Sequence, residues 1–67
     1  MKIKVNGSDI ELNVDYQLIA LLKKLSLGGK KGMAVAVNAE VIPKKNWNQF
    51  ELSENDEVII IEAAQGG

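Results

Sequence analysis

Chemistry in this sequence is concentrated at its end, where Gly66-Gly67 closes the 67 residues shortly after the apolar run Val58-Ile59-Ile60-Ile61. Glycine lacks a Cβ, so a diglycine segment is thin, pliable and able to enter a channel that rejects any other residue pair. A terminal glycine also presents an unhindered carboxylate. That group is inert as it stands, but as an acyl adenylate its carbonyl carbon is open to attack by sulfur or by an amine. The expectation is a reactive handle at Gly67, approached through Gly66 and Gln65, on which another enzyme acts.

Other chemistry is sparse. The sequence has no cysteine and no histidine, which removes disulfides, thiol nucleophiles, imidazole bases and the usual soft-metal ligands. A chain of this composition that carries sulfur must hold it on something other than a thiol. Gly28-Gly29-Lys30-Lys31-Gly32 resembles a phosphate loop, but no Ser or Thr follows the lysines and the next segment reads as a strand. It reads as a helix-ending loop. The acidic residues fall on expected outer strand faces or turns, and none forms a pair placed for acid–base work. No catalytic residue and no metal site is expected.

The net charge is −1 and the lysines are scattered, so no basic stripe marks a nucleic-acid surface. No apolar stretch has the length of a membrane span, and Met1-Lys2-Ile3-Lys4 is not a signal peptide; the expected location is cytoplasmic. A single domain of this size buries only about 60% of its unfolded surface. That leaves little room for both a core and a cleft, and favours a monomeric carrier or binding role over an enzyme.

Local patterns supply the elements that must hold the tail. Lys2-Ile3-Lys4-Val5 alternates polar and apolar, Asn6-Gly7 is a strong hairpin signal, and residues 9–14 alternate again with Ile10, Leu12 and Val14 on one face. Asp15 is placed to cap a helix whose stripe runs through Leu18, Leu22 and Leu25, widened by Ile19 and Leu21, and which the glycines of 26–32 end. Met33–Val37 reads as a strand, Asn38-Ala39-Glu40 as a turn, and Val41-Ile42 as a short edge strand before Pro43. Trp47 and Phe50 are expected to plug one end of the core. A polar turn at residues 53–56 precedes the last strand, Glu57–Glu62.

The expected order is strand, strand, helix, strand, short strand, strand. With the last strand parallel to the first, this is an α+β β-grasp fold of the ubiquitin-like kind, spanning residues 1–62 with a flexible tail at 63–67. The last strand breaks the alternation expected of a sheet covered on one face. With Val58 and Ile60 turned to the helix, Ile59 and Ile61 lie on the open face as a candidate docking patch. From there a five-residue tail reaches at most about 16–18 Å, enough to place Gly67 inside a docked partner.

Taken together, the residues resemble the ThiS family, the sulfur carrier proteins of thiamine biosynthesis. The resemblance rests on Lys-Ile-Lys-Val-Asn-Gly at the start, the leucine-rich helix, Ala34-Val35-Ala36-Val37-Asn38, and Glu40-Val41-Ile42-Pro43 with Trp47 beyond it. Leu52, Asp56-Glu57-Val58 and Gly66-Gly67 complete it. Asn55 departs from a glycine common in the family, and asparagine tolerates the left-handed backbone such a turn needs. The resemblance implies that a ThiF-type enzyme adenylates Gly67 using Mg-ATP, while the chain binds no cofactor itself. Sulfur from a donor such as a cysteine desulfurase persulfide then gives a thiocarboxylate, which a thiazole synthase of the ThiG type consumes. Three other readings stay open at this point: the small subunit of molybdopterin synthase, a ubiquitin-like protein modifier, and a β-grasp interaction module.

Overall fold

A computed structural model describes residues 1–13, 15–27 and 32–62. Strands β1 (Lys2–Val5) and β2 (Ser8–Glu11) form an antiparallel hairpin, with Val5 opposite Ser8 across the Asn6-Gly7 loop. Both loop residues have positive φ, 50° and 87°, as the favoured two-residue hairpin turn requires. Helix α1 (Leu18–Lys24) follows, then β3 (Met33–Val37), β4 (Glu40–Val41), a 3₁₀ turn at Lys44–Asn46, and β5 (Glu57–Glu62). The sheet order is β2-β1-β5-β3-β4, with β5 parallel to β1 and antiparallel to β3. This is the expected β-grasp topology.

One face of the sheet carries the core. Ile3, Val5, Val35, Val37, Val58 and Ile60 pack with Leu18, Leu21 and Leu22 of α1, all buried. Val58 and the three helix leucines have no exposed surface. A seven-residue helix is too short to persist alone, so this apolar stripe holds it in place. Trp47 closes one end as expected: it is buried, and its indole N–H donates to the Ile42 carbonyl at 2.8 Å. Phe50 is only partly buried against the same core.

Four local expectations need correction. The edge strand is Glu40–Val41 rather than Val41-Ile42, because the turn takes only Asn38 and Ala39 and Glu40 already pairs with Val37. Asp15 does not cap α1; the capping position is Gln17, which makes no side-chain cap bond. The first helical N–H groups instead find backbone carbonyls brought by the fold: Leu18 donates to Phe50 at 2.8 Å and Ile19 to Trp47 at 3.2 Å. With these orphan donors satisfied by tertiary contact, the helix needs no side-chain cap. At the other end Ser26, not a glycine, takes the left-handed turn at φ 63°. Ser26 donates to Lys23 and Leu27 to Leu22, the paired bonds of a Schellman ending. Finally, β2 ends at Glu11 rather than reaching residue 14; Leu12 is buried beyond it, and Val14 lies outside the described residues.

Candidate functional site

The last strand separates its side chains as the broken alternation implies. Val58 and Ile60 are buried under α1, whereas Ile59 keeps 36% and Ile61 61% of its surface exposed on the opposite face. Residues directly opposed across strands project to the same face. Ile59 opposes Ala36, Ile61 opposes Ala34, and Ala36 opposes Val41 on the far strand. The apolar surface is therefore wider than the two isoleucines, running from β5 across β3 to Val41, which is 68% exposed. The sequence reading missed this extension. Its one signal was the Ala-Val-Ala-Val repeat of β3, which places small residues outward where a close partner can approach.

The other half of the same sheet face is charged. Lys2 opposes Glu11 and Lys4 opposes Asp9 in the hairpin, and Lys4 also lies beside Glu57 of β5. Opposite charges are thus interleaved, and exposed pairs of this kind contribute little to stability. They do bound the apolar area sharply.

Two hydrogen-bonded clasps hold β5 in register. At its start, the Asn38 side chain donates to Asp56 Oδ1 at 2.9 Å and accepts the Glu57 N–H at 2.9 Å. Asp56 Oδ2 also accepts the Ser53 N–H at 2.7 Å. Asn55 sits between them at φ 69°, the left-handed conformation expected of it. Further along, Asn6 reaches Ile60 through its carboxamide.

Burial among the described residues is entirely apolar, and no cluster of three or more potential metal ligands occurs among them. A shallow depression lined by Leu12, Asn13, Asp15, Ala20 and Lys24 has a volume of about 170 Å³. Small-molecule sites generally run to about 300–1,000 Å³. Gln65, Gly66 and Gly67 lie outside the described residues, as does the rest of 63–67. The structure brings the described chain to Glu62 at the end of β5, next to the apolar face. No helix among the described residues is long and apolar enough to cross a membrane.

The sequence model of the ThiS family matches residues 3–67. The chain belongs to the ThiS family. It is 24% identical to the sulfur carrier protein ThiS of Escherichia coli K12 over the full length of both chains. It is also 30% identical, over all 67 residues, to a segment of a thiazole synthase from Paramagnetospirillum magneticum, and spans only 20% of that protein. The crystal structure of the thiamine biosynthesis protein ThiS from Geobacter metallireducens superposes with a TM-score of 0.82 over the whole of both chains, at 22% identity. A solution structure of a thiamine biosynthesis protein from the same organism gives 0.79 at 23% identity, covering all of this chain and 88% of the other. These structural likenesses speak for the fold.

Proposed function

We propose that this chain is a sulfur carrier of thiamine biosynthesis whose cargo is held on the carboxylate of Gly67. The observation that carries the reading is the family match extending from the first strand through Gly67. Full-length correspondence with a protein named as a sulfur carrier supports it. In this reading a ThiF-type enzyme joins Gly67 to AMP at the expense of Mg-ATP and releases pyrophosphate. A persulfide sulfur attacks the carbonyl carbon; the C–S bond forms as the C–O bond to AMP breaks. A donor thiol then cleaves the resulting acyl disulfide, becomes oxidised to a disulfide itself, and leaves a thiocarboxylate on Gly67. The absence of cysteine leaves no side-chain thiol on the carrier to compete for this sulfur.

Thiazole synthase is the acceptor in this reading. Support comes from the relative in which a segment matching this whole chain belongs to a protein named thiazole synthase. The apolar half of the outer sheet face, centred on Ile59 and Ile61, is the surface on which the adenylating enzyme docks. The strand that carries both isoleucines leads directly into residues 63–67, so docking there directs Gly67 toward the enzyme's active site. The chain's own contribution is delivery, with no acid, base or cofactor of its own.

Carrier-dependent exchange of labelled pyrophosphate into ATP tests the first step. The full chain is expected to support exchange. A chain lacking Gly67 ends about 3.5 Å short of the reacting position and is expected not to. Exchange at the full rate with the shortened chain would overturn the assignment of Gly67.

A further inference from the structure

Asn6 was singled out in the sequence as half of a hairpin signal, and the structure gives it a second task. Strand β1 runs parallel to β5 only at Lys4 and Val5, opposite Glu57 and Val58, before the hairpin turns it away. At the point of departure the Asn6 N–H donates to the Val58 carbonyl at 2.9 Å, the last main-chain bond of this pairing. Its side chain then continues where the backbone leaves off. Oδ1 accepts the Ile60 N–H at 2.8 Å, and Nδ2 donates to the Ile60 carbonyl at 3.2 Å. A carboxamide has the donor and acceptor of a peptide group, so it pairs with Ile60 as one more strand residue would.

Ile60 lies between Ile59 and Ile61 and only two residues before the end of β5. Its other side is held by β3, where it opposes Val35. Asn6 thus fixes, from the β1 side, the stretch of strand that presents both exposed isoleucines and leads to the tail. We propose that Asn6 is a positioning residue for sulfur loading: its carboxamide holds β5 at Ile60, so that the docking face of Ile59 and Ile61 is presented in one geometry. This rests on the sulfur-carrier reading above. The residue type fits the task closely. Aspartate also suits the turn and can accept the Ile60 N–H, but its carboxylate would face the Ile60 carbonyl with no proton to donate. Glycine suits the turn and makes neither side-chain bond.

The two roles of Asn6 can therefore be separated by substitution. Asn6→Gly retains a turn-forming Gly-Gly pair and deletes the clasp; Asn6→Asp deletes only its donor half. In the Gly variant the Ile60 amide is expected to exchange with solvent roughly tenfold to a hundredfold faster, as for two lost hydrogen bonds, while amides of α1 keep their rates. With the ThiF-type enzyme, KM for the carrier is expected to rise about fivefold at unchanged kcat, the mark of weakened presentation rather than altered chemistry. Asn6→Asp is expected to give a smaller rise. Unchanged Ile60 exchange, or unchanged KM despite faster exchange, would overturn the proposal. So would a fall in kcat accompanied by faster exchange throughout the chain, which would make Asn6 a general stability residue. Absence of turnover with the unaltered chain would overturn this inference and the carrier reading together, whereas turnover with an unchanged KM overturns this inference alone.

Discussion

Replacing Ile61 by threonine, alone and together with Ile59→Thr, separates docking from folding. Threonine is also β-branched and suits a strand, so β5 keeps its local preference while its outer face loses hydrocarbon. Full burial of a large aliphatic side chain stabilises by about 1.5–3 kcal/mol. Ile61 has 61% of its surface left to bury and Ile59 has 36%. In proportion, covering Ile61 contributes about 1–2 kcal/mol and covering Ile59 about 0.5–1 kcal/mol to association. Threonine forfeits most of this. The single Ile61→Thr change is then expected to weaken binding to the adenylating enzyme roughly five- to tenfold, and the double change up to about a hundredfold. Folding should suffer much less, because the cross-strand pairs altered, Ile61 with Ala34 and Ile59 with Ala36, are each worth about 0.2–1 kcal/mol. Titration calorimetry gives the affinity and urea unfolding gives the stability. An affinity within twofold of the unaltered chain for the double variant would refute the docking face. A loss of affinity matched by an equal loss of stability would refute the separation of the two roles.

Two further substitutions test the fold that holds this face. Trp47→Phe leaves the buried Ile42 carbonyl without its 2.8 Å donor and opens a small void; unfolding stability is expected to fall by about 2–3 kcal/mol, and a loss below 0.5 kcal/mol would show that the bond contributes little. Ala39 occupies the second position of the β3–β4 turn at φ 70°, which an L-residue adopts at a cost of about 1–2 kcal/mol. Ala39→Gly is therefore expected to raise the urea midpoint, with a net gain of about 0.5–1 kcal/mol after glycine's extra unfolded-state freedom is counted. A lower midpoint would contradict that account of the turn.

Much of the architecture was legible because its signals are local. The Lys2–Val5 strand, the Asn6-Gly7 turn, Met33–Val37 and Glu57–Glu62 agree with the pattern of residue types, and burial of Val58 and Ile60 follows from the period of two. The helix ends were not legible for a physical reason. Leu18 and Ile19 are capped by carbonyls of Phe50 and Trp47, some thirty residues away, so Asp15, the best local capping candidate, was superfluous. Val41 was recognised as an edge-strand residue, but a two-residue strand has no period from which its outward face could be read. The clasp of Asn6 on Ile60 joins positions 54 apart and leaves no local trace. The chemistry of Gln65, Gly66 and Gly67 was read from residue type and from the family resemblance, and the described residues end before them.

The most direct test of the carrier assignment is the intact mass of the chain before and after incubation with ATP, a sulfur donor and the ThiF-type enzyme. Exchange of one terminal oxygen for sulfur adds nearly the same mass as one methionine oxidation. Because Met1 and Met33 are both present, a chain lacking Gly67 must be run beside the full one. The account predicts a gain in the full chain alone, localised by fragmentation to the C-terminal peptide. An unchanged mass with an enzyme shown to be active, or an equal gain in the chain lacking Gly67, would contradict it.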